Sequence, residues 1–328
     1  MTRDAPSARR TLSNGLEAAL RPDAHGLVLV IDGIEQSHLG VPGAPPRHAS
    51  HRWMLAASIA ALGARTGAVQ PGGEPHPGSA ELHPGRGAEP RVVSGATALH
   101  LGGGAAALHL GGGAAALPRA LQHAVPGLRQ RVVELEPALV DLVAEGAPLP
   151  PGIEVVVGDG RAVLERVPSP VALVTIDVFG AGSVPAAFTT VECFAAARAS
   201  LAPGGTLVVN TADGPPLRFV RSQVATLQAV FAHVALISTG STLAGARHSN
   251  LVLVASDAPL PVDDIRERVR VGPPPAAVVA GRRLARFAAD TAPQPVRDAT
   301  AVDSPAPVRS AYLGSASLPP SLTDPTDD

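Results

Sequence analysis

Three consecutive glycines, Gly111, Gly112 and Gly113, are the feature that most constrains what this chain can fold into. They follow the apolar run Ala107–Leu110, which predicts a buried strand, and they precede a helical pattern over about residues 114–123. Because glycine lacks a Cβ, the backbone can bend sharply here and approach a ligand closely. The pattern predicts the opening of a β-α-β unit of the dinucleotide-binding type.

An acidic residue follows the glycines near the end of the next predicted strand. Glu134 lies near the end of the next predicted strand, Arg131–Leu135, and 23 positions separate it from Gly111. A carboxylate about 20 residues after such a turn can accept hydrogen bonds from ribose hydroxyls. Glycine clusters are also typical of plain loops, but the acid at this spacing favours a site for an adenosine-containing small molecule.

The glycine turn belongs to an exact tandem repeat. Residues 99–116 read LHLGGGAAA twice, and only one copy can form the working turn. The second copy leaves the usual spacing to Glu134, whereas the first leaves 32 positions and requires a longer helix or loop. We therefore expect the second copy to form the turn, and we expect His100 and His109 to be ordinary strand histidines.

Strands and helices alternate in the rest of the central region. Further strands are predicted at Ile153–Val157, Val171–Ile176, Thr206–Asn210, His233–Ile237 and Leu251–Ala255, and helices at Pro137–Gly146, after Gly158, around 188–201 and at Pro215–Phe231. This order implies a mostly parallel sheet with helices on both faces, whose ligands bind beyond the carboxyl ends of the strands. Glu134, Asp159, Asp177 and Asp213 all fall at or just after such ends, and Asp213 can instead cap the following helix.

The flanking regions predict four divisions of the chain. Residues 1–66 contain a β-hairpin, Leu16–Leu20 with Leu27–Ile31, and a helix over Trp53–Leu62. Residues 67–95 are a linker rich in Pro, Gly and His, residues 96–257 are the nucleoside-binding domain, and residues 258–328 are a largely disordered extension with a helix around 275–289. His51, His76 and His83 are isolated histidines without the spacing of a metal site, so no metal is expected.

Composition excludes several classes of function. The chain has 328 residues and a formal net charge of −2, which gives no basic field for nucleic acid. Its start has no apolar core of a signal peptide, and its only long uncharged run is broken by glycines, so no membrane segment is expected. The single cysteine, Cys193, suits a reducing cytoplasm and is expected to be a small core residue.

An ordered set of segments resembles one family. LHLGGGAAALPRAL, VVELEPALVDLV, IEVVVGDGRAVLERV, VTIDVF, LAPGGTLVVN, ADGPPL and FAHVALI follow one another as in the spermidine synthase (polyamine aminopropyltransferase) family, particularly its divergent actinobacterial spermidine-synthase-like branch. VLVIDGIEQSH resembles the hairpin that precedes the family's catalytic domain. The resemblance implies an α/β fold of the class I S-adenosylmethionine methyltransferase type, with a doubly wound, mostly parallel seven-stranded sheet and a small N-terminal β-hairpin region.

The resemblance also implies roles for individual residues. Glu134 matches the carboxylate that holds the ribose hydroxyls of decarboxylated S-adenosylmethionine or methylthioadenosine. Asp159 with Gly160 matches the pair that reads adenine, and Gln36 matches a glutamine that contacts the same ligand. Asp177 matches the proton acceptor that assists attack by an amine on the propyl carbon. The implied partner is a small-molecule amine, and a homodimer is compatible with the resemblance.

The amine side departs from the family pattern. Ala114 stands where the family has an aspartate directly after the glycines, and Gly180 stands where it has a second aspartate after the proton acceptor. The Tyr-His-Glu stretch of the family is not recognisable in VPGAPPRHASHRWM. Since a dication needs several acceptors to offset its lost hydration, ordinary diamine recognition is not expected.

Three functions stay open at this point. The first is a spermidine-synthase-like transferase that uses decarboxylated S-adenosylmethionine and an altered amine. The second is a methyltransferase that uses S-adenosylmethionine itself on the same scaffold. The third is a catalytically degenerate nucleoside-binding homologue.

Overall fold

The computed structural model of the protein describes residues 8–67, 92–94, 106–167, 170–180, 182–289 and 293–306. Its strands form two β-sheets. The strands are β1 (Arg9–Thr11), β2 (Glu17–Asp23), β3 (Gly26–Ile31), β4 (Ile34–Gly40), β5 (Val92–Ser94), β6 (Ala106–Leu110), β7 (Arg129–Glu134), β8 (Ile153–Val157), β9 (Val171–Ile176), β10 (Leu201–Asp213), β11 (His233–Ser238), β12 (Ser249–Ser256) and β13 (Ala277–Ala280). The helices are α1 (Ala49–Gly67), α2 (Ala116–Ala124), α3 (Pro137–Gly146), α4 (Gly160–Leu164), α5 (Val191–Ser200), α6 (Arg218–Gln228), α7 (Gly240–Leu243), α8 (Val262–Arg270) and α9 (Gly281–Ala289).

The N-terminal sheet is larger than the predicted hairpin. It has four antiparallel strands in the order β1-β2-β3-β4. The two predicted strands are β2 and β3, whose apolar residues made them visible in the sequence. Strand β4 could not be predicted from its own residues, IEQSHLG, which are mostly polar, and only Ser37 and His38 of this strand are buried; the resemblance of VLVIDGIEQSH to a hairpin did imply it, since that segment spans β3 and β4.

The central sheet contains all seven predicted strands and gains one more at each edge. Its order is β13-β11-β12-β10-β9-β6-β7-β8-β5. Strands β5 to β10 run parallel, whereas β12 runs antiparallel to β10, and β11 and β13 continue antiparallel pairing. The predicted α/β class with a mostly parallel sheet is confirmed, and the strand count of seven is extended by the edge strands β5 and β13.

Helices cover both faces of the central sheet. On one face, α1, α2 and α8 pack in a cluster that includes Trp53, Met54 and Ile265. On the other face, α5, α6 and α9 pack in a cluster that includes Phe194 and Val224. Helix α1 was predicted to belong to the N-terminal region, but in the structure it packs on β9, β10 and β12 of the central sheet.

The prediction of a largely disordered region after residue 257 is wrong for the residues that the structure describes. Helix α8 buries Ile265 and Val269, and β13 pairs with β11. Residues 293–306 pack against the start of α5 and the segment before it, where Val191 N donates to Val296 O at 2.9 Å and Ser304 N donates to Val184 O at 2.9 Å. The Pro- and Ala-rich composition concealed these elements, because a strand of only four residues gains its stability from pairing with a neighbour rather than from its own propensity. The predicted helix over 275–289 begins only at Gly281, because residues 277–280 form β13.

Some sequence predictions fall outside the described residues. These are the first glycine triplet, 102–104, the histidines His76, His83 and His100, most of the 67–95 linker and the last part of the chain, 307–328. In the part that is described, no helix has both the length and the apolar character to span a bilayer. The same part contains no group of three or more His, Cys, Asp or Glu side chains able to hold a metal ion.

Candidate functional site

The polar strand ends meet at the point where the direction of winding reverses. Strand β6 lies between β7 and β9, so the chain proceeds from β6 through β7 and β8 to one side, and from β9 to β10 on the other. Such a reversal leaves a crevice beyond the carboxyl ends of the central strands. The glycine turn follows β6, and Glu134, Asp159 and Asp177 follow or end β7, β8 and β9.

The second copy of the repeat forms the turn between β6 and α2, as predicted. Gly111 has a φ of 90°, and a Cβ built on it would lie 2.1 Å from the carbonyl oxygen of Asp177. Gly113 has a φ of 48°. A Cβ on Gly112 would lie 3.0 Å from Glu134 Oε2. Gly111 therefore depends on glycine, because its φ and the Asp177 carbonyl leave no place for a Cβ, and a Cβ on Gly112 would be tightly packed.

The Glu134 carboxylate accepts hydrogen bonds from the backbone of the glycine turn. Its Oε2 accepts hydrogen bonds from the amides of Gly112, at 2.9 Å, and Gly113, at 3.0 Å, while its Oε1 accepts one from Glu136 N at 3.1 Å. The carboxylate thus fixes the turn at the mouth of the crevice. The next residue, Leu135, is 70% exposed and presents an apolar surface beside it.

Asp159 lies on the adjacent strand end. Gly158 N donates to Glu134 O at 2.9 Å, which holds the ends of β7 and β8 together and puts the two acidic residues on the same side of the molecule. Asp159 is exposed, and its Oδ1 caps α4 by accepting from Arg161 N at 2.7 Å and Ala162 N at 3.0 Å. Gly160 allows the close approach of Phe188, whose Cζ lies 3.4 Å from the position of an added Cβ.

Asp177 lies at the centre of a chain of polar side chains. Its Oδ2 is 2.8 Å from His51 Nε2, and its Oδ1 accepts a hydrogen bond from Asn210 Nδ2 at 2.8 Å. Asn210 Oδ1 in turn accepts from Asn250 Nδ2 at 3.1 Å. Burial raises the pKa of Asp177, but the hydrogen bonds and the nearby histidines outweigh it, so that the pKa lies below its ordinary value. The carboxyl group is therefore ionised at neutral pH.

His51, predicted to be an isolated histidine, belongs to this group of polar side chains. The structure places His51 in the first turn of α1, only 8% exposed, against a residue 126 positions away. A neighbouring histidine, His48, contacts it edge to face with ring centroids 5.6 Å apart. The signal that could have revealed them is the spacing of three residues, since positions i and i+3 share a face once the helix is extended back to Ala49.

Gln36 is not brought into contact with the turn in the described residues. It is exposed on β4, and its Nε2 lies 3.5 Å from Ile34 O. Its neighbour Ser37 is buried instead, with Oγ 3.6 Å from the position of an added Cβ on Gly113. Strand β4 therefore borders the site, although the ligand contact implied for Gln36 stays a prediction.

The two positions that depart from the family pattern differ in character. Ala114 is fully buried in an apolar cluster with Leu12, Leu29 and Leu142, which joins the N-terminal sheet to α3. An aspartate here would lose its hydration without gaining a partner, so the alanine fits its surroundings. Gly180 is exposed and pairs with Ser183 in a short turn after Asp177.

Other predicted polar residues have structural roles. His109 is buried in β6 between Thr175 and Gln130, and burial lowers its pKa to about 4. Burial raises the pKa of Cys193 to about 12, as suits the predicted core residue. Asp213 Oδ2 accepts from Val220 N at 2.9 Å, which confirms the predicted helix cap.

The fold and the position of the site define a class of protein. The seven inner strands have the order of a class I methyltransferase-like sheet, with one antiparallel strand, β12, between β10 and β11. No protein-family model matches the chain, and a search of curated proteins gives no match. Solved structures do match.

A probable spermidine synthase from Corynebacterium glutamicum is 26% identical, with a TM-score of 0.70, and the match covers 89% of this chain and 96% of that one. A spermidine synthase in complex with the transition-state analogue AdoDATO is 17% identical, with a TM-score of 0.50, over 81% of this chain and 78% of that one. The chain therefore has a spermidine-synthase-like fold, as the sequence resemblance predicted.

Proposed function

We propose that the chain is a spermidine-synthase-like transferase that binds decarboxylated S-adenosylmethionine and transfers its aminopropyl group to an amine. The likeness to a probable spermidine synthase over nearly the whole length of both chains supports this proposal. The observation that carries it is the arrangement of Glu134, Asp159 and Asp177 on three strand ends around one glycine turn.

The nucleoside binds beside the glycine turn in this proposal. Glu134 accepts hydrogen bonds from the ribose hydroxyls, and Asp159, with its exposed carboxylate, accepts from the adenine amino group. Exposed Leu135 offers an apolar surface for the base. Gln36 borders the same site on β4 and is assigned to the ligand by the resemblance. No metal takes part in the proposed reaction.

The reaction takes place near Asp177. The amine attacks the propyl carbon next to the sulfonium, the carbon–sulfur bond breaks with its electron pair going to sulfur, and the attacking nitrogen loses a proton. Because the leaving thioether is neutral, holding the two reactants in line contributes most of the acceleration. The ionised Asp177 attracts the cationic amine and keeps the proton-accepting side of the site polar.

Calorimetry with three ligands tests the nucleoside site. Binding of methylthioadenosine and decarboxylated S-adenosylmethionine, with intact S-adenosylmethionine at least about tenfold weaker, supports the proposal, since about 1.4 kcal/mol is enough to give that ratio. Preference for the intact compound supports a methyltransferase instead. Mass spectrometry of products formed from a panel of monoamines and diamines then tests transfer.

A nucleoside-binding protein without transfer activity is the second candidate. The observation that favours it is Ala114, whose fully buried position removes one of the family's acids and leaves no room for a hydrated substitute. Tight binding of methylthioadenosine together with no product from any amine in the panel would establish this candidate over the first.

A further inference from the structure

In the described residues, one nitrogen of the His51 imidazole has a hydrogen-bond partner and the other has none. Ionised Asp177 can only accept hydrogen bonds, so His51 Nε2, 2.8 Å from Oδ2, must carry the hydrogen. In the neutral ring, Nδ1 then holds a lone pair. Within the described parts of the chain Nδ1 is buried and has no hydrogen-bond partner. A buried acceptor without a donor is unfavourable in the free protein and marks a place where a donor can bind.

Asp177 itself is arranged to orient rather than to accept a proton. Both its oxygens already accept hydrogen bonds, from His51 and from Asn210, and Asn210 is held by Asn250. These contacts lower the pKa of Asp177, which makes it a weaker base than a free carboxylate. A carboxylate that fixes the tautomer and direction of an imidazole is the arrangement by which histidine acts as a general base in other enzymes.

Titratable groups lie next to the His51 ring and around its neighbour. Asp177 at the end of β9 and His48 before α1 contact His51, and Glu35 and His38 on β4 act on His48 in turn. Burial, followed by the proximity of His51, lowers the pKa of His48, which favours the neutral form of the His48 ring. Glu35 Oε1 lies 3.2 Å from His48 Nε2, and His38 Nε2 is 3.3 Å from Asp23.

We propose that His51 is the group that takes the proton from the amine, and that Asp177 positions it. The inference rests on the proposed transfer function and assigns its proton acceptor. One carbon–nitrogen bond forms, the carbon–sulfur bond breaks with its electron pair passing to sulfur, and one proton passes from the attacking nitrogen to His51 Nδ1. The resulting imidazolium is stabilised by the Asp177 carboxylate at Nε2.

A His51→Gln variant separates the two possible proton acceptors. The glutamine amide can still donate to Asp177 but cannot take a proton. We expect its kcat to fall at least about 100-fold, its KM for the nucleoside to stay within about twofold, and the acid limb of its pH profile to disappear. His233→Gln is the matched control, because His233 is exposed at the amino-terminal start of β11, away from the carboxyl ends of the parallel strands, and it should behave as the wild type.

The possible results of this experiment test the inference about His51 and the proposed transfer function separately. A His51→Gln variant within about fivefold of the wild-type kcat, with an unchanged acid limb, would return the proton to Asp177 and refute the inference while leaving the transfer function intact. Wild-type protein that binds methylthioadenosine but transfers to no amine would refute the proposed function, and the inference with it. The two failures are therefore distinguishable.

A second measurement does not depend on turnover or on a folded variant. In the full-length wild-type protein labelled with ¹⁵N-histidine, we expect the His51 signals of the free form to report hydrogen on Nε2 and none on Nδ1. Addition of methylthioadenosine and then of putrescine or propylamine should shift the Nδ1 signal towards its hydrogen-bonded or protonated value. Hydrogen on Nδ1 in the free protein, or no response of His51 to an amine whose binding calorimetry detects, would overturn the inference.

Discussion

Single carboxylates carry the proposed chemistry of this site, and Glu134 illustrates how. In the structure its oxygens accept the amide hydrogens of Gly112, Gly113 and Glu136. The same charge is therefore available both to shape the turn and to meet ribose hydroxyls. Residues of this kind were predictable because the spacing between glycines and acid is a local property of the chain.

Replacement of Glu134 by alanine should abolish nucleoside binding, since the variant loses both the ribose acceptor and the group that holds the turn. We expect at least about a 100-fold loss of affinity for methylthioadenosine, equivalent to about 2.7 kcal/mol. Titration calorimetry measures it, with Asp141→Ala, an exposed acid on α3, as control. Unchanged affinity in the Glu134 variant would remove this residue from the site.

An Asp177→Asn substitution should separate binding from chemistry. The amide keeps the shape of the side chain but lacks the charge that attracts the amine and orients His51. We expect methylthioadenosine affinity within about threefold of the wild type and a fall in kcat of at least about 100-fold. Full turnover by this variant, measured by product formation under saturating substrate, would exclude Asp177 from the reaction.

At the scale of elements, the turn after β6 shows that glycine is required at some positions and replaceable at others. Gly111 combines a φ of 90° with a backbone contact that leaves no space for a Cβ. Gly63 in α1 differs, because an added Cβ there meets nothing within 4 Å. The sequence alone does not tell which of the two glycines can be replaced, because the space for a Cβ depends on the surrounding structure.

Gly111→Ala should lower the free energy of unfolding by more than about 3 kcal/mol, through backbone strain and a clash with the Asp177 carbonyl. Gly63→Ala should raise it by about 0.5–1 kcal/mol, because alanine favours a helix interior. Urea denaturation of the two variants gives both values. A tolerated alanine at position 111 would contradict the close approach of β6 and β9 at this turn.

Strand β6 also carries a buried histidine that should make stability depend on pH. Burial lowers the pKa of His109 to about 4 from an unfolded value of 6.5, so between these values the unfolded chain binds more protons than the folded one. Stability from this group is complete above pH 6.5 and declines as the pH falls towards 4. We expect a loss of about 2 kcal/mol between pH 7 and pH 5.

Urea denaturation at the two pH values measures this loss, and a His109→Gln variant should not show it. An equal pH dependence in both proteins would mean that the ring is protonated in the folded state. The neutral ring fits its two partners, Thr175 at Nδ1 and Gln130 at Nε2.

At the scale of the whole molecule, long-range contacts account for most of what the sequence did not reveal. The seven inner strands and most helices were predictable from local periodicity, and the second LHLGGGAAA copy from its spacing to Glu134. The pairing of His51 with Asp177 was not, because it joins residues 126 positions apart. Strand β13 and the packing of residues 293–306 were concealed for the same reason, since they depend on partners elsewhere in the chain.

The segment 293–306 should stabilise the part of the domain that it crosses. Buried Ser304 exchanges hydrogen bonds with Val184, and Val296 O accepts from Val191 N. A chain ending at residue 292 should lose amide protection at Val184 and Val191, with a lower Tm, as native-state hydrogen exchange and thermal unfolding can measure. Exposed Thr300→Ala is the control. Equal protection in the shortened chain would show that these contacts contribute nothing.

The contact between Gly111 and the carbonyl of Asp177 has a consequence for how such a site can evolve. In the proposed function, the loop beside the nucleoside and the carboxylate beside the amine rest on the same few main-chain atoms. A change that tailors the pocket to a new nucleoside will also displace the acid, and a change that suits a new amine will disturb the loop. New specificity on this scaffold would therefore arise mainly from parts outside this contact, such as strand β4.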